Sequence, residues 1–191
     1  MDFKIWRSTR GDDFCVIKDP DIEKSFELNK GVPRLGSMKE PARCNMDPAF
    51  PKEIRLSDNL YGATMPVISL RLKQILESAG KNKVEYLPVD LFNHKGRKEP
   101  EQYFVLHPLD VLECINLEGS GVEWNNITPD RISRCKGLVL NHSAIPENYT
   151  IFRPKFWGKL VLIRQDLVDM LLQKDLTGLV FRPVDGYTGI G

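Results

Sequence analysis

The chain has 191 residues, a mass of 21.9 kDa and a formal net charge of +1. By surface scaling it buries about 70% of its unfolded area, so one soluble domain can form a core without disulfide or metal. With 41% hydrophobic and 28% charged residues it is neither disordered nor low-complexity, and it lacks the basic excess of a dedicated nucleic-acid binder.

The N-terminal stretch Met1 to Arg7 has no apolar signal core. Phe3-Lys4-Ile5-Trp6 alternates and can start a strand. Phe14-Cys15-Val16-Ile17 is a second apolar run, stopped at Asp19-Pro20-Asp21. Then come Pro33, Gly36, Pro41, Pro48 and Pro51. Prolines fix φ and remove ladder donors, so residues 1–60 are expected to form an N-terminal pair of strands and a Pro-rich arm over the surface. The remaining residues, 61–191, would be the body.

The body carries an internal likeness. The segment Val67–Asp90 aligns with Leu162–Asp185 at an offset of 95 residues without a gap. Leu72/Leu167, Pro88/Pro183, Val89/Val184 and Asp90/Asp185 are identical pairs. Each copy reads as strand, helix, strand. In the first, Ser69 is the expected N-cap, Leu72, Ile75, Leu76 and Ala79 fall at helical spacing, and Gly80 ends the helix. In the second, Asp166 favours the helix start, Leu167, Val168, Met170, Leu171 and Leu172 form the apolar face, and Gly178 stops it. The exits Val84–Val89 and Leu179–Val184 each close on Pro-Val-Asp.

Between the copies, Tyr103–Leu106, Val111–Leu117, Leu138–Leu140 and Tyr149–Phe152 have strand character, and Gly119-Ser120-Gly121 and Asn125-Asn126 mark turns. The expected fold class is α+β: two strand-helix-strand repeats with a largely antiparallel sheet, plus the Pro-rich arm. A two-lobed arrangement, one lobe per copy, is the alternative. Gly186–Gly191 reads as a flexible tail.

No catalytic motif emerges. His94, His107 and His142 are isolated and lack metal-ligand spacing. No Walker loop, GxGxxG or GxSxG is present, and Gly119-Ser120-Gly121 lacks the helix a phosphate cradle needs. Asp90 and Asp185 are equivalent in the two copies and would act as an acid–base pair only if the fold brought them together. Otherwise each caps a turn. Cys15, Cys44, Cys114 and Cys135 form no CxxC pair and read as reduced, buried small residues. Lys95-Gly96-Arg97-Lys98 reads as a solvated loop. No apolar run has the roughly 18 residues of a membrane span, so the chain is expected in the cytoplasm. Three Asn-x-Ser/Thr triplets, at Asn126, Asn141 and Asn148, read as chance matches. Glu118, Glu123 and Trp124 are different. They join two acids, a Trp and a glycine turn, which is the composition of a protein–protein hot spot, and they are the candidate partner-binding residues; the alternative is a loop whose Trp covers the edge of the core.

Ile151-Phe152-Arg153, Lys159–Ile163 and Leu176-Thr177-Gly178-Leu179-Val180-Phe181-Arg182-Pro183-Val184 resemble the closing motif of a bacterial polymorphic-toxin immunity family, first described in myxobacteria. Val84-Glu85-Tyr86-Leu87-Pro88-Val89 resembles its earlier block, and Tyr103–Leu106 with Val111–Leu117 its middle block. In the second helix start, Arg164-Gln165 replaces the usual Ser. The resemblance covers roughly residues 60–185. It implies a non-catalytic immunity protein that binds a cognate protein toxin and blocks it, with no cofactor, metal, nucleic acid or membrane involved. Two other readings stay open. One is a small enzyme using Asp90, Asp185 or a histidine. The other is a homo-oligomeric scaffold that exchanges the arm between protomers.

Overall fold

A computed structural model describes residues 1–79 and 83–189. The expected stop at Gly80 and the last two residues of the expected tail lie outside the described residues. The chain runs β1 (Phe3–Ser8), β2 (Ala42–Asn45), β3 (Asn59–Leu60), β4 (Val67–Ser69), α1 (Leu70–Ala79), β5 (Val84–Phe92), β6 (Tyr103–Pro108), β7 (Val111–Leu112), α2 (Leu117–Ser120), β8 (Val122–Trp124), β9 (Ile132–Cys135), β10 (Ile151–Pro154), β11 (Leu162–Arg164), α3 (Gln165–Leu172) and β12 (Leu179–Pro183). Among the described residues the strands form two five-stranded sheets, ordered β12-β1-β11-β10-β7 and β2-β5-β6-β4-β3, and a β8–β9 hairpin. The class is α+β. The single largely antiparallel sheet expected is replaced by two mixed ones. Each is antiparallel except at one edge, where β2 runs parallel to β5 and β7 parallel to β10.

Residues 1–60 contribute three strands to the two sheets. β1 is an inner strand of the first sheet, and β2 and β3 sit at the two edges of the second. The alternation of Phe3 and Ile5 against Trp6 explains this. Phe3 and Ile5 join one core and Trp6 joins another, and all three are buried. Such a strand is stable only when covered on both faces. The prolines at 33, 41, 48 and 51 all lie between strands, so the composition that suggested an arm marks connections instead. Phe14–Ile17 makes isolated bridges rather than a strand, yet Cys15 and Ile17 are fully or nearly fully buried.

The two strand-helix-strand segments take the same register around a third strand. Val105 on β6 pairs with Val67 and Leu87, and Ile5 on β1 pairs with Leu162 and Arg182, each partner 95 residues further on. Thus β1, from the start of the chain, fills in the second half the place that β6 fills in the first.

Ser69 caps α1, its Oγ accepting the Leu72 N–H at 3.2 Å. At the matching position Arg164 cannot cap. Its guanidinium clasps Asp166 at 2.7–2.8 Å, and the Asp166 carboxylate accepts the Leu167 N–H. β5 does not stop at Val89 but runs to Phe92, because β2 pairs only with Val89–Phe92 and leaves Pro88 clear of that ladder. Leu72 and Leu76 of α1 pack with Leu167, Val168 and Leu171 of α3, between Ile68 and Leu106 of one sheet and Trp6 and Ile163 of the other. A second core lies outside the second sheet and a third outside the first. The layers are therefore core, sheet, helices, sheet, core.

Candidate functional site

The β8–β9 hairpin projects from the core outside the first sheet, and the sequence places Glu123 and Trp124 on it. Its approach is fixed by α2, one turn long. Asn116 Oδ1 accepts the Gly119 N–H at 2.9 Å, and Gly121, at φ +55°, ends the turn in the left-handed region that glycine tolerates. Gly119-Ser120-Gly121, expected as a turn, is thus the end of this short helix and its cap.

Val122 faces Cys135 and Glu123 faces Arg134, whose guanidinium donates to its carboxylate at 2.5 Å. The register then slips between Glu123 and Trp124, and Trp124 opposes Ile132. Neighbouring residues on a regular strand point to opposite faces. The bulge re-aims one of them, so Glu123 and Trp124 line the same open hollow of about 470 Å³. Asn125, Asn126, Ile127, Ser133 and Arg134 complete it. Trp124 is 41% exposed and rests edge-on against Phe156 with ring centres 5.5 Å apart. The tip is ordered by Asn125, whose Oδ1 accepts the Ile127 and Thr128 N–H groups at 2.9 Å. This holds Ile127 out at 92% exposure. An isoleucine so exposed at a built turn was not picked out from the sequence; its signal was the Asn-Asn-Ile-Thr-Pro run. Glu118, on α2, is exposed but does not line the hollow.

The base of the hairpin is clamped by the residues expected as a flexible tail. Cys135 N–H donates to Thr188 O at 3.1 Å, Leu138 N–H donates to Tyr187 O at 2.8 Å, and Tyr187 packs on Trp157. Residues 186–189 are therefore a packed segment, held because Tyr187 has an aromatic surface to cover.

The residues of the enzymatic alternative are not gathered. Asp90 pairs with Lys98 at 2.7 Å, whereas Asp185 lines an open groove beside β12. His107 is buried, its Nε2–H donating to Val32 O at 2.9 Å, and burial holds its pKa below the ordinary 6.5. His142 is exposed and stacks on Phe3. His94 lies in the turn after β5. Burial pushes the Cys15, Cys44 and Cys114 thiols up to about 12, far from the thiolate form a nucleophile needs. Among the described residues no three His, Cys, Asp or Glu side chains are grouped to hold a metal. The sequence also gave no sign of Arg153. Its fully buried guanidinium donates to Pro108 O at 3.2 Å and Gly158 O at 2.7 Å, tying the end of β6 to the loop after β10.

The hairpin thus presents an exposed Trp124 and Ile127 beside charged Glu123 and Arg134. A family model described as Immunity protein family (Imm11) matches residues 6–186, and the chain belongs to that family. The match starts within β1, well before residue 60, as the place of β1 inside the first sheet requires. Compared with curated proteins, the chain matches none. Among the described residues no helix is long and apolar enough to cross a membrane.

Proposed function

We propose that this chain neutralises a cognate protein toxin by binding it in the cytoplasm and covering its active surface, without catalysing a reaction. Membership of the immunity family is the observation that carries the reading. The hairpin is the proposed contact. Trp124 and Ile127 supply apolar area, and Glu123 and Glu118 supply charge at its rim. A Trp already fixed against Phe156 loses little freedom on binding, which favours affinity.

The test is a titration of the purified toxin encoded beside this gene. Occlusion predicts loss of toxin activity that is complete at one immunity chain per toxin. Complete inhibition at a small fraction of that ratio would show turnover and refute the reading. Trp124→Ala is expected to weaken the complex by about 30-fold, the effect of losing a hot-spot aromatic. Because Trp124 is an exposed hairpin residue, the variant should keep its fold.

A further inference from the structure

We propose that the outer edge of β12 is a strand-addition site, where an extended segment of the toxin pairs with the free backbone of Leu179 and Phe181 and sets an acidic side chain against Arg182. This rests on the toxin-binding reading above.

The hydrogen-bond alternation of the first sheet fixes which groups are free. Trp6 N–H donates to Val161 O at 2.9 Å, on the β11 side. In an antiparallel ladder a residue sends its N–H and C=O to the same side. Trp6 is paired across to Phe181, so theirs is a non-hydrogen-bonded pair, and the Phe181 N–H and C=O point away from β1. The bond from Thr9 N–H to Gly178 O at 3.1 Å sets the same alternation. Gly178, Val180 and Arg182 face β1, and Leu179 and Phe181 face outward. β12 ends its sheet, and no described residue bonds to the outward backbone of either. In the other half, segments from residues 34–45 lie against β5. There Glu85 accepts the Arg34 and Leu35 N–H groups, and β2 pairs onto the end of β5.

Outward N–H and C=O groups at every second residue are complementary to another extended backbone. An open groove of about 1,030 Å³ includes Val180 and Arg182 of β12 in its lining, together with Arg7 and Ser8 of β1 and Val16, Ile17 and Tyr61. Arg7, Arg10, Arg182, Asp47 and Asp185 are its charged lining residues. Arg7 is bonded to Tyr187 and Arg10 to Glu53, whereas Arg182 is exposed and has no acidic partner among the described residues. A bound carboxylate would supply one. A second copy of this chain fits less well. Antiparallel self-pairing centred on Phe181 would set Leu179 against Pro183, which has no N–H, and would bring two Arg182 side chains onto one seam. The chain segment after the groove's Asp185 and Gly186 leads to the base of the hairpin. There the Tyr187 carbonyl accepts from the Leu138 N–H and the Thr188 carbonyl from the Cys135 N–H.

The experiment is amide hydrogen exchange read by NMR on the whole chain, alone and in complex with the purified toxin encoded beside its gene. In the free protein Leu179 and Phe181 should exchange quickly while Val180 and Arg182 exchange slowly. In the complex Leu179 and Phe181 should slow by an order of magnitude or more. Arg182→Glu should weaken binding by about tenfold with an unchanged melting curve, and Arg182→Lys should restore most of it. A complex in which Leu179 and Phe181 exchange as in the free protein overturns strand addition and leaves the immunity reading standing. Failure to form any complex overturns both.

Discussion

Replacing Ile5 with Ala tests whether the N-terminal residues are structural. Ile5 is 0% exposed. It sits on a strand paired on both sides, opposite Leu162 and Arg182, and packs in the core with Phe3, Leu138, Phe152 and Leu162. Trimming a buried Ile to Ala costs about 2–5 kcal/mol through lost transfer energy and the cavity left behind. The upper half of that range is expected, because both flanking strands are pinned by their own partners and close in poorly around the gap. A domain of this size has a total stability of about 5–15 kcal/mol. Each kcal/mol shifts the melting temperature of a chain this long by about 2–4 °C, so the variant should melt about 7–20 °C lower. Urea unfolding followed by circular dichroism measures the effect directly, with the slope unchanged and only the midpoint moved. A change within about 0.5 kcal/mol of the parent, as for an exposed residue, would refute the placement of β1 inside the sheet.

Other expectations follow from single contacts. His107 is neutral when buried, with its pKa lowered by desolvation, while the unfolded chain protonates near 6.5. The unfolded state therefore binds the extra proton first. Stability from this group is complete above pH 6.5 and is lost as pH falls below it, towards the folded value. Urea midpoints at about pH 7.5 and about pH 5.5 should differ by more in the parent than in His107→Gln, and equal differences would count against this role. Gly158→Ala should destabilise strongly, by about 3 kcal/mol or more, since its Cβ would lie 1.8 Å from the Asn29 carbonyl oxygen. A melting curve like the parent's would show that the Asn29 turn yields. Cys15, Cys44 and Cys114, buried and with thiols pushed up to about 12, should resist a thiol reagent in the native protein and react once urea unfolds it. Labelling of these three at the rate of a free thiol would contradict their burial.

Local physics made much of the molecule legible in the sequence. Strand runs such as Tyr103–Leu106, the Ser69 cap, the Asp166 helix start and most of the apolar face of each long helix depend on neighbours three or four residues away, and the structure has them there, although Ala79 and Leu172, expected on those faces at the helix ends, are exposed. What lay out of reach depends on partners far along the chain. The inner position of β1 needs strands about 160–180 residues later. Proline marks a break in a ladder without saying which strands on either side of it pair, or with what. The burial of Arg153 depends on carbonyls that only meet when the two sheets do. The free edge of β12 depends on the absence of any described neighbour, which no local pattern records. By itself the sequence determined which segments become strand and helix, and which family motifs the chain resembles, because those rest on short-range spacing. Only the tertiary structure decided which strands pair, which hairpin stands clear and which backbone groups stay open, because those are set by contacts whose cost and gain are shared across the whole chain.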